Sequence, residues 1–181
     1  MAQTAQRSRG LDRSSSPPLT EIESLITALG SHDVLARDRA RHALVQIGQP
    51  AVAPLAAALR DDRELVRGEA ARALGELRDP AAAAALIGAL DDQGFDVRWL
   101  AAEGLIALKA AGVAPLLSSL IDASWDNVWL REGAHHILRS LLGEPFGAAL
   151  APVVAAIEGV EPSVTVPLAA YKALDALRAQ H

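Results

Sequence analysis

Four leucines recur at nearly constant intervals along this chain: Leu25, Leu55, Leu86 and Leu116 lie 30, 31 and 30 residues apart. Similar stretches follow them, LITALGSHDVLARDRARHALVQI from Leu25, LAAALRDDRELVRGEAARALGEL from Leu55 and LIGALDDQGFDVRWLAAEGLIAL from Leu86. Such a period signals a solenoid, because one unit cannot bury its own apolar face and must stack on the next. Each unit reads as a short apolar helix, a turn containing Asp or Gly, and a longer helix. Arg37, Arg67, Arg98 and Arg131 hold one equivalent position on the longer helices. Three residues on come Ala40, Ala70, Ala101 and Ala134, and seven on come Leu44, Leu74, Leu105 and Leu138. That spacing puts both columns on one helix face, and the alanines let neighbouring helices approach closely.

Composition supports the helical reading. Hydrophobic residues make up 51% of the 181, yet aromatics only 3%, so the apolar content is mostly Ala and Leu, which favour helix over strand. The length suits one domain. The absence of Cys removes disulfides, thiolate nucleophiles and Cys-based metal sites, and points to a reducing, cytoplasmic setting. A net charge of -5 with only two lysines, Lys109 and Lys172, disfavours nucleic acid as partner. The first residues lack the apolar run of a signal peptide. Charges interrupt every apolar window before the roughly 20 residues needed to span a bilayer, so a membrane partner is not expected.

Residues 1–19, rich in Ser, Arg and Pro, read as a flexible arm. The spacing of Thr20 and Glu23 predicts a capping box at the first helix. Four repeats are expected over 20–142. Trp125, Asp126 and Asn127 lengthen the fourth turn by three residues. Gly143-Glu144-Pro145-Phe146-Gly147 then breaks the helix, and 143–181 is expected to hold a linker and a degenerate capping pair near 148–158 and 164–179. Pro167 falls where the repeated Arg would stand.

In the form LxxAL...D...VRxxAAxALGxL, best seen from Leu55 to Leu77, the repeat resembles the short bacterial HEAT-like repeat, the type also found in phycobilisome lyases. The resemblance covers residues 20–142. It implies an all-α, right-handed superhelix of about five antiparallel helix pairs, with the second helix of each pair lining the concave side. It also implies that each repeated Arg bonds an Asp near the end of a first helix, with Asp61, Asp62, Asp91, Asp92 and Asp126 as candidates.

Consensus positions build a repeat scaffold, so departures from consensus on the second helices are the candidates for function. One residue after each Arg come Asp38, Gly68, Trp99 and Glu132; two after come Arg39, Glu69, Leu100 and Gly133; five after come His42, Arg72, Glu103 and His136. One helical turn separates the earlier from the later set, predicting a single stripe across the concave face. Trp99 and Glu103, and Glu132 and His136, stand at i and i+4 on adjacent helices, with Gly133 leaving space between them. Trp125 and Trp129 bring all three tryptophans into the same neighbourhood. The expected partner- or ligand-binding set is Trp99, Glu103, Trp129, Glu132, His136 and Arg72; the bland alternative for each Trp is core filling.

No catalytic motif is present. Glu132, His135 and His136 contain one Glu-x-x-His element of the carboxylate di-metal sites, but no second copy follows. The tandem HEAT-like iron hydroxylases carry His-Glu dyads, and this chain has no His-Glu dipeptide. No metal and no cofactor are therefore expected, and His135, equivalent to Ala71 and Ala102, is expected to turn toward the helix interface. The leading reading is a protein-binding scaffold or adaptor. Its rival is a small-molecule binder or cofactor-independent acid/base enzyme of lyase or cyclase type, with His136 as base and Glu103 or Glu132 orienting it or acting as acid.

Overall fold

The computed structural model describes residues 19–122 and 127–179. The N-terminal arm up to residue 18, Trp125 and Asp126 lie outside them. The described residues form an all-α solenoid of ten helices: α1 (Leu19–Ala28), α2 (Val34–Ile47), α3 (Val52–Ala58), α4 (Glu64–Leu77), α5 (Ala83–Ala89), α6 (Phe95–Leu108), α7 (Ala110–Asp122), α8 (Val128–Ser140), α9 (Gly147–Ile157) and α10 (Pro162–Arg178). Helix α1 begins at Leu19, so Thr20 sits inside the helix rather than capping it. No described helix is long and apolar enough to cross a membrane.

The two consensus columns form the core. Leu44, Leu74, Leu105 and Leu138 are all fully buried, as are Ala70, Ala101 and Ala134 with Ala40 nearly so. Truncating any such Leu to Ala would cost about 2 to 5 kcal/mol. The second helices α2, α4, α6 and α8 stack in sequence, and α4 and α6 approach closest. A Cβ on Gly75 would stand 2.9 Å from Gly104 Cα, so only glycine permits that crossing.

The Arg column ties the layers together, but not as the resemblance implies. Each of the first three Arg residues donates through Nη1 to backbone carbonyls of its own turn: Arg37 to Ser31 at 2.8 Å, Arg67 to Asp61 at 2.9 Å and Asp62 at 3.1 Å, Arg98 to Asp92 at 2.8 Å and Gln93 at 3.0 Å. The rest of the guanidinium reaches forward into the next unit. Arg37 Nε donates to Glu69 at 3.2 Å, and Arg67 binds Asp92 through Nε at 2.6 Å and Nη2 at 2.9 Å. Arg98 instead lies over the Trp129 ring, 4.5 Å from its centroid. Among the described residues, the role of an Asp near the end of a first helix falls to the following repeat, where Arg67 uses Asp92.

At the C-terminal end the order of the layers reverses. Helix α9 packs on α8 and α10 packs on α7, so α10 lies in the first-helix layer and Pro167 is not the positional counterpart of the Arg column. Backbone geometry supplies the reason. Eleven residues after the Arg, units one to three place Gly48, Arg78 and Lys109 at φ of 77°, 53° and 50°, turning the chain back to the first-helix layer. The fourth counterpart, Leu142, has no positive φ, and a branched apolar residue strongly resists one. The Gly143–Phe146 turn then lays α9 directly along α8, and a Cβ on Gly147 would run into the Leu142 carbonyl.

Candidate functional site

Trp99 projects from the first half of α6 because its neighbours Val97 and Ala101 take the buried face, leaving the residue 47% exposed. His136, from α8, stacks on it with ring centroids 4.8 Å apart and planes at 28°. The other edge of the imidazole meets α6 again: His136 Nε2 and Glu103 Oε1 are 3.0 Å apart. Trp99, Glu103 and His136 thus form one ordered, solvent-facing cluster bridging units three and four. Toward the N-terminal end of α8, the Arg98 guanidinium covers the partly exposed Trp129 ring and stands 5.7 Å from the Phe95 centroid.

Other members of the predicted stripe go elsewhere. The column two residues after the Arg turns largely inward: Leu100 is half-buried, the Glu69 side chain is only 12% exposed, and a Cβ on Gly133 would touch Leu90 at 3.1 Å. Gly133 therefore accommodates a core leucine and opens no space in the cluster. The cause is angular, since one residue is 100° of helix turn and two columns one residue apart cannot share a narrow face. Arg39 alone of that column is exposed. Arg72 approaches only Glu69, at 4.0 Å, and does not join the cluster. Glu132 is exposed and lines a small 190 Å³ recess with Arg131, His135, Ile157 and Glu158, away from the Trp99 ring.

The three residues of the Glu132-x-x-His135-His136 motif diverge. His135 Nε2 lies 2.8 Å from Glu158 Oε1, which also accepts from Arg139 Nη1 at 2.9 Å. The hydrogen bond with His135, then the charges of Arg139 and His135, hold the Glu158 carboxyl below the usual carboxylate range. His135 does turn toward a neighbouring helix, α9, but remains one-third exposed.

An ionic network around the buried Arg41 escaped the sequence reading. Arg41, 7% exposed, pairs with Asp38 and Glu76, and its Nε stands 3.3 Å from Glu69 Oε2 without the alignment of a hydrogen bond. Its signal lay in carboxylates at the facing position of α4, which only a pairing of helices makes visible. Trp99, Glu103 and His136 line none of the larger cavities, one of 560 Å³ between α7 and α10 and another of 540 Å³ between α9 and α10. The cluster is an open surface feature.

A stack of helix pairs with this Arg and Leu pattern defines an α-helical repeat protein. Residues 52–139 match the family described as HEAT repeats, so this part of the chain is built of HEAT-like repeats. It is similar to a chain in the solved complex of CpcE and CpcF of phycocyanin lyase from Nostoc sp. PCC7120, at 26% identity and a TM-score of 0.56, over 86% of this chain and 98% of that one. No curated protein matches the chain.

Proposed function

We propose that this chain is a protein-binding scaffold or adaptor whose partner docks on the second-helix face around Trp99, Glu103 and His136, with Trp129 and Glu132 flanking. The observation that carries this reading is Trp99 itself. Its ring is half exposed yet fixed by the His136 stack, so it offers a large contact area without needing to be ordered on binding. A solvent-facing tryptophan that served only packing would gain more from burial than from display. The likeness to a chain taken from a two-protein complex agrees with a protein partner. The test is a photo-crosslinking residue at position 103 or, as control, at exposed position 84 on α5, followed by isolation of adducts from the native lysate. A discrete adduct specific to position 103 supports the reading; equal adducts at both positions, or none, contradict it.

A second reading, an acid/base or lyase-type site, is favoured by the Glu103–His136 hydrogen bond beside an aromatic platform. There, Glu103 would orient the imidazole and His136 would exchange a proton. With phycocyanin as probe, a change in its absorption spectrum with wild type but not with His136→Ala would favour this reading, and no change with either would remove it.

A further inference from the structure

The last described helix pair, α9 and α10, carries an outward apolar face. Terminal repeats of solenoids ordinarily turn a polar side outward. Here Val160, Val164, Leu168 and Tyr171 are 100%, 66%, 56% and 60% exposed. The last three follow helical spacing along α10, on the side opposite its buried Val166, Ala170 and Ala173. Helix α9, GAALAPVVAAI, carries no charged residue. Between the two helices runs the 540 Å³ trough, lined by alanines with Pro152, Thr165 and Leu168, and with Lys172 at its edge. This is the composition of the covered faces between internal repeats, and no other described residue covers it. An apolar surface of this kind marks an interaction site.

We propose that the α9–α10 end face is a self-association surface, through which two copies of this chain meet about a two-fold axis. Three observations favour a second copy. A face built like an inter-repeat face accepts another helix pair of the same make, and α9–α10 of a second chain is one. Lys172, Asp175 and Arg178 are the charged residues exposed on the outer side of α10, each three residues from the next and the acidic one between the two basic ones. An antiparallel approach of two α10 helices that pairs Lys172 with the second copy's Asp175 sets unlike charges opposite each other, although the whole chain carries -5. The opposite end of the solenoid is more mixed, because α1 exposes Thr20, Glu21, Glu23, Ser24 and Thr27 alongside the exposed Leu19, Val34 and Leu35. Contact of like faces also closes at two copies, whereas head-to-tail contact would propagate a filament.

The test is the mass of the full chain across a dilution series, by light scattering or sedimentation. Wild type is expected at twice 18.9 kDa when concentrated, falling toward the single-chain mass on dilution. Leu168→Glu is expected to stay at the single-chain mass with unchanged helix content, while Leu35→Glu, an exposed site on α2, dimerises as wild type does. Should Leu168→Glu lose helix content, Tyr171→Ser provides the same reading. Lys172→Asp is expected to weaken the dimer at least about tenfold, and adding Asp175→Lys to restore it. A wild-type chain that is single at every concentration overturns the proposal, whatever other protein then covers the face. So does a dimer that survives a folded Leu168→Glu or Tyr171→Ser, one that dissolves with Leu35→Glu, or a double reversal that restores nothing.

Discussion

The rings of Trp99 and His136, 37 residues apart in sequence, stack with centroids 4.8 Å apart and so join the third repeat to the fourth at the surface. Stacked aromatic pairs contribute about 0.5 to 1.5 kcal/mol beyond area burial. A double-mutant cycle of Trp99→Ala and His136→Ala in urea unfolding is therefore expected to show a coupling energy in that range. Strict additivity of the two changes would show that the rings do not support each other.

Arg67 is the best-tied member of its column, with two bonds to Asp92 and two to backbone carbonyls, and side-chain exposures of 15% for Arg67 and 10% for Asp92. Arg67→Ala is expected to destabilise the fold by about 3 kcal/mol, because it leaves a buried carboxylate unpaired. Arg63→Ala, which removes the exposed Arg63–Asp61 pair, is expected to leave the midpoint nearly unchanged. Urea titration of both variants reads the contrast.

Asp92 also sets an acid limit. Burial raises its pKa, but the Arg67 hydrogen bond, the Gly94 N–H and the Arg67 and Arg98 charges together hold it below the usual carboxylate value. Asp61, hydrogen-bonded by the Arg63 side chain and backbone, is held at about 2, but that pair is exposed and screened by solvent, so Asp92 carries the acid dependence. A carboxyl depressed by folding contributes stability above its unfolded pKa and loses it as pH falls through the folded one. Thermal stability is expected to decline as pH drops below about 4, and Asp92→Asn to be less stable at neutral pH with a flatter acid profile. A wild-type melting curve constant from pH 7 to 2 would contradict this.

Gly48 and Lys109 occupy one repeat position with the same turn, at φ 77°, ψ -140° and φ 50°, ψ -129°. Only glycine adopts that region without strain. Lys109→Gly is expected to raise stability by about 1 kcal/mol and Gly48→Ala to lower it by about as much or more. Calorimetry on the pair reads the opposite signs; a shared sign would refute the strain.

The solenoid was legible because Leu and Ala recur in phase with the Arg column, and phase is a property of sequence alone. The reversal of α9 and α10 was not, because it turns on the backbone angle at Leu142, which the residue resists but no periodicity announces. The same holds within the site. That Trp99, Glu103 and His136 occupy neighbouring repeats follows from column counting. That Gly133 faces Leu90 and Glu132 stands apart does not, since a one-column error rotates a side chain by 100° and carries it from surface to core. The Arg41 network needed the facing helix to be known before its carboxylates could be paired.

The central claim, that the second-helix face around Trp99 is the working surface, is tested most directly by measuring melting and partner capture on the same Trp99→Ala protein. Truncation of a half-exposed, stacked ring is expected to cost less than about 2 kcal/mol of stability. It is also expected to cost more than about 2 kcal/mol of binding to the protein crosslinked at position 103. Arg39→Ala, on the exposed side of α2, should leave both unchanged. A stability loss of about 3 to 5 kcal/mol with capture intact would make Trp99 a packing residue and contradict the account.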